Sequence, residues 1–97
     1  MEEQQGQTEV KKEVVALRPE VAWFAEQMEL TLRKNDAKGG WVFTDNQYLT
    51  NKIQEHAEKI GLTLEGGFPS AVILEYAVHA ANYAMMVGDN VAGPYTR

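Results

Sequence analysis

Residues 1–17 are polar, mixed in charge and without a sustained hydrophobic period, which predicts a flexible N-terminal arm with a helical turn near Val14 to Leu17. From there Val21, Phe24, Met28 and Leu32 recur at helical spacing and predict a first helix over about 19–34. Pro19 suits its first turn, where a missing N–H leaves no intrahelical bond unmade. The polar, glycine-rich run Asn35-Asp36-Ala37-Lys38-Gly39-Gly40 ends it. Thr44 and Gln47 have the spacing of a capping box, and Asp45 adds negative charge where a helix N-terminus favours it. A second helix is therefore predicted over about 45–60, with Leu49, Ile53, Ala57 and Ile60 as its apolar stripe and Gly61 as its stop. Leu62 to Pro69 reads as a turn-rich link, Ser70 as the cap of a third helix, and Gly88 as that helix's stop just after Val87. The helical domain spans 18–90, residues 91–97 form a tail, and no strand pattern of any length appears.

The third predicted helix carries the most information. Ala71 to Leu74, Tyr76 to Val78, Ala80-Ala81 and Tyr83 to Val87 make it apolar nearly all round, so it must be covered on most sides. Two further helices from one chain cover it poorly. The expected fold is all-α: a three-helix protomer that completes a helical bundle by homo-oligomerisation, with a core of four-helix type shared between subunits.

Ninety-seven residues allow one domain, and a chain of this length hides only about 60–65% of its unfolded surface. The net charge of −5 disfavours a nucleic-acid partner, which normally requires a basic face, but leaves room for a small anion held by a few local cations. With no cysteine, disulfides, thiolate metal sites and cysteine nucleophiles are excluded. No apolar run approaches the length of a membrane span, and the polar start is unlike a signal peptide, so the expected setting is the cytoplasm with no membrane partner.

Three polar residues interrupt the third helix: Glu75, His79 and Asn82. At about 100° per residue they fall within roughly 60° of one another and form a single line. Either that line faces water, or it meets a cation, a metal ion or a set of hydrogen-bond partners. Glu55 and Glu58, spaced i, i+3 on the second helix, share a face roughly opposite its apolar stripe. Alone they read as solvated surface; together with Glu75 and His79 they read as a cluster around a hard divalent ion such as Mg²⁺. His56, at the edge of the stripe, fits packing or an interface better than ligation. In the glycine-rich loop, Lys38 offers a point charge to phosphates, Gly39-Gly40 let the backbone approach an anion, and Trp41 offers a flat face to a base or ribose. The alternatives there are a plain turn, a core anchor at Trp41, and a helix C-cap at Asn35 and Asp36.

Three blocks in order, Phe24 to Glu29, Leu32-Arg33-Lys34-Asn35-Asp36-Ala37-Lys38-Gly39-Gly40-Trp41 and Ala81 to Asn90, resemble the short MazG-like nucleotide pyrophosphohydrolases of bacteriophages and bacteria. They lie between residues 22 and 90 and cover most of the chain. The resemblance implies an oligomeric helical bundle that cleaves nucleoside triphosphates to the monophosphate and pyrophosphate. It further implies Mg²⁺ (or Mn²⁺) held by an E-x-x-E pair and a later E-x-x-D pair. Glu55 and Glu58 match the first pair, as catalytic and metal-binding residues. The second pair falls at Tyr76 and His79: neither is acidic, Glu75 lies one residue from the expected glutamate, and His79 stands in place of the aspartate. Exchanging a carboxylate for neutral imidazole weakens a site for a hard ion.

Three functions follow as expectations. In the first, the chain hydrolyses nucleoside triphosphates, with Glu55, Glu58, Glu75 and His79 on the metal and Asn35, Lys38, Trp41 and Asn82 on the nucleotide. In the second, a relative without turnover sequesters a nucleotide, linear or cyclic, as in phage anti-defence within the host cytoplasm. The third is a helical interaction protein whose last helix is a dimer interface.

Overall fold

The computed structural model of the chain describes residues 14–94, all of whose regular structure is helical. Helix α1 covers Pro19–Lys34, a single 3₁₀ turn Asp36–Lys38, α2 Asn46–Glu65 and α3 Ser70–Ala92. The expected arm falls outside the described residues up to 13, and Val14 to Leu17 are not helical. Pro19 explains this, because its ring drives the preceding residue out of the helical region; Arg18 sits at φ −67°, ψ 152°.

Both later helices run past the glycines expected to end them. The true stops are the glycines with left-handed backbone, Gly67 (φ 69°) and Gly93 (φ 74°). At Gly67 the amide donates to the Leu64 carbonyl, and the Phe68 amide donates to that of Thr63 at 3.0 Å, closing the last turn of α2. Gly61 stays helical because the turn beyond it is held by tertiary packing: Thr63 is buried, and its hydroxyl donates to the Lys59 carbonyl at 2.8 Å. The α2 cap is Asp45, not Thr44, its carboxylate accepting from the Gln47 amide at 3.2 Å. Ser70 is the first helical residue of α3 rather than its cap; extended Pro69 precedes it and supplies the carbonyl for the first turn.

Helices α2 and α3 pack side by side as an antiparallel pair across the short link 66–69, Lys59 lying near Tyr76 and His56 near His79. The face of α2 turned to α3 centres on Leu49, His56 and Thr63, while Ala57 of the expected stripe is exposed. Among the described residues helix α1 packs on α3 and touches the 3₁₀ turn that follows it, and no Cα of α1 lies within 8 Å of one in α2.

The core is thin. Among the described residues only Leu49 (2% exposed) and Val78 (3%) are fully buried apolar residues. At about 1.5–3 kcal/mol for each such side chain they supply a small part of what ordering the chain requires. Helix α3, flanked by its neighbours, keeps most of its apolar residues half-covered, with only Val91 among its large ones exposed. The uncovered apolar surface lies elsewhere: on α1, which buries no residue fully, on the 41–44 turn, where Phe43 is 100% exposed, and at the end of α2. Among the described residues no helix is long and apolar enough to cross a membrane.

Candidate functional site

The last turn of α1 ends in Arg33 and Lys34, where cations are favoured by the helix dipole, and in Asn35 as C-cap. The Asn35 side chain donates to the Thr31 carbonyl at 3.0 Å and its amide to that of Leu32. This turn faces the first half of α3 across an open cleft of about 860 Å³. Its polar wall is Gln27, Thr31, Lys34, Asn35 and His79, its apolar part includes Leu30, Leu74 and Val78, and Glu75 contributes a carboxylate. Arg33 also lines it and is paired with Glu29 at 3.0 Å. Of the residues singled out from the sequence, Asn35, Glu75 and His79 meet in this cleft. Arg33, Lys34, Gln27 and Thr31 were not foreseen; the basic pair directly before Asn35 was the signal in the sequence.

The other candidates sit apart from it. Lys38 is exposed on the 3₁₀ turn. Gly39, at φ 93°, turns the chain there. The Trp41 indole N–H donates to Asp89 Oδ2 at 2.9 Å, and the Asn90 amide group donates to the Trp41 carbonyl at 3.2 Å, so the loop is moored to the end of α3. Asn82 is only 3% exposed; its Nδ2 donates to the Met28 carbonyl on α1 at 3.3 Å, and its Oδ1 has no partner among the described residues. Packing between α1 and α3 engages it.

On α2, Glu55 is exposed and gripped by lysines of its own helix: Lys59 at 3.3 Å and Lys52 at 3.4 Å. Their hydrogen bonds, that from Lys59 first, hold its carboxyl below the ordinary value. Glu58 is exposed as well. Glu75 and His79 stand 3.8 Å apart. Among the described residues no three of His, Asp and Glu converge in a way that could hold a metal ion. Glu55, Glu58, Glu75 and His79 therefore do not fit Mg²⁺ within one protomer.

What α2 and α3 do bring together is a set of rings. The buried His56 donates from Nδ1 to the Lys52 carbonyl, 2.9 Å away, because a carbonyl oxygen can only accept. Its ring centroid is 5.4 Å from those of His79 and Tyr83 and 6.1 Å from that of Tyr76, and Lys59 Nζ sits 5.4 Å above the Tyr76 ring. Burial first, and the neighbouring His56 second, push the His79 pKa below its ordinary value, against Glu75, which raises it. His79 therefore meets the cleft as a neutral imidazole near pH 7, able to donate or accept one hydrogen bond. The arrangement binds better than it reacts: Lys34, amides, a hydroxyl and a neutral imidazole stand beside an apolar floor, with Arg33 paired to Glu29 and Glu75 adding a carboxylate at the His79 end. No family model, curated protein or solved structure matches the chain.

Proposed function

We propose that this chain is a MazG-like nucleotide-binding protein that captures a nucleotide in the α1–α3 cleft without turning it over. The observation that carries the reading is the meeting of Lys34, and of Arg33 beside its partner Glu29, with Asn35, Thr31 and His79 over Leu30, Leu74 and Val78; Glu75, at the His79 end, favours phosphates at the Lys34 end. Cations serve phosphates, hydrogen-bonding groups serve a sugar or base edge, and the aliphatic floor serves the base face. The local cations matter because the chain as a whole, at −5, repels anions. The ligand class comes from the resemblance of the sequence blocks. A linear or a cyclic nucleotide fits it equally.

Capture is favoured over hydrolysis by the state of the carboxylates. Glu55 is neutralised by two lysines and Glu58 lies on the solvent side of α2. Hydrolysis in the MazG manner needs further metal ligands from another subunit.

The test is a panel of linear and cyclic nucleotides, with Mg²⁺, with Mn²⁺ and with a chelator, read by thermal shift and by pyrophosphate release. Capture predicts stabilisation that persists in chelator and is lost in Arg33→Ala/Lys34→Ala. Metal-dependent pyrophosphate release abolished by Glu55→Gln would replace capture with the hydrolase. No response to any nucleotide would remove both and leave a helical interaction protein.

A further inference from the structure

Glu20, Trp23, Gln27, Leu30 and Lys34 follow one another on α1 at alternating spacings of three and four. At about 100° per residue they fall within about 80° of arc and make one seam, in the spacing used by helices that pair along their length. The seam lies beside the side of α1 that meets α3. Its two large apolar members are half-exposed, Trp23 at 48% and Leu30 at 51%, and α3 is the only other described α-helix that α1 contacts.

The order of residues along the seam is self-complementary: acid, tryptophan, amide, leucine, base. Two copies of α1 laid antiparallel about a two-fold axis at Gln27 place Glu20 opposite the partner's Lys34 and Trp23 against the partner's Leu30. Gln27 then meets the partner's Gln27, amide to amide. A parallel pair would set acid on acid and base on base, so charge selects the antiparallel arrangement. We infer that α1 is the contact between two copies of this chain, joined antiparallel through this seam.

The exposed apolar side chains of the seam, Trp23 and Leu30, with Val14, Val15 and Leu17 of the non-helical residues before α1, can supply the area; Val21 lies about 140° from the seam's centre and takes no part. At roughly 100 Å² each they offer several hundred Å² per copy, of the order of the ~800 Å² that a specific interface buries per partner. The expected interface on α3 is thereby moved to α1, where the open apolar surface is. Gln27, Leu30 and Lys34 also line the α1–α3 cleft, so the second copy would bring the partner's Trp23 to the cleft's rim. That last consequence rests on the nucleotide reading; the pairing itself does not.

The experiment is sedimentation of the full-length chain without nucleotide, with circular dichroism to confirm helix content. The wild type is expected to associate at micromolar concentration. Glu20→Lys and Lys34→Glu should each weaken association about tenfold or more, and the double exchange Glu20→Lys/Lys34→Glu should restore it to within about threefold. Leu30→Glu should shift the mass toward the monomer with the helix signal kept; if that variant does not fold, the charge exchange alone decides. A wild type that stays monomeric at 100-fold higher concentration overturns the inference. So does a folded Leu30→Glu that associates normally, or a double exchange that fails to rescue its single variants.

Discussion

The imidazoles of His56 on α2 and His79 on α3 stand 5.4 Å apart between ring centroids, at the centre of the contact between the two longest helices. Burial most of all, then His56, and to a smaller extent Lys59, oppose the charging of His79. Glu75, 3.8 Å from His79, offsets this only in part.

Stability should therefore depend on pH through His79. Its folded pKa lies below the ordinary 6.5, so in acid the unfolded chain takes the proton first. The contribution is fully present above pH 6.5 and is lost as pH falls from there through the lowered folded value. The thermal midpoint should drop across that window, and His79→Gln should flatten the drop. A midpoint that rises on acidification, or an unchanged slope in the variant, would contradict this assignment.

Asn82 separates a packing role from a ligand role. Replacing it with leucine removes both its long bond to Met28 and an oxygen with no partner, so unfolding free energy should change by less than about 1 kcal/mol. Asn82→Asp puts a charge at a position only 3% exposed and should cost about 2–4 kcal/mol at pH 7. Urea unfolding measures both. A folded leucine variant that loses nucleotide stabilisation would assign Asn82 to the ligand after all.

Trp41→Phe keeps most of the ring and loses the N–H that donates to Asp89. A charge-assisted bond of this kind, half-buried, is worth about 1–3 kcal/mol. The variant should be less stable by about that amount and exchange amide hydrogens faster over 39–45. Unchanged exchange there would mean that Asn90 and the 3₁₀ turn hold the loop without the indole.

Glycine substitutions should have opposite signs at Gly61 and Gly67, which lie on either side of the last helical residue of α2, Glu65. Gly61 is exposed within α2 with open space where a Cβ would stand, so Gly61→Ala should stabilise by about 0.5–1 kcal/mol. Gly67 holds a φ of 69°, and Gly67→Ala should destabilise by about 1–2 kcal/mol. Chemical denaturation of the two variants tests whether the helix ends where the left-handed backbone lies.

That pair also shows how local information divides from tertiary. Period and composition alone identify three helices and an all-α chain, because amphipathic spacing and the proline at the start of α1 act through nearest turns; α1 runs over Pro19–Lys34 as expected. Which glycine ends a helix is not written locally. Gly61 and Gly67 are equally good breakers by residue type, and the choice falls on Gly67 because packing of Thr63 against α3 sustains one more turn of α2.

The same division runs through the site. Helical arithmetic places Glu75 and His79 on one line of α3 from spacing alone, and they do lie together. Whether Glu55 and Glu58 turn toward that line depends on the rotation of α2 about its axis, which the burial of Leu49, His56 and Thr63 decides. The cleft itself joins residues some forty positions apart, Lys34 and Asn35 with Glu75 and His79, and only the packing of α1 on α3 brings them to one wall. Residue order determines which faces are apolar, through the fixed turn of the helix. Which face meets which is settled by the free energy of burying them together, a property of the whole chain.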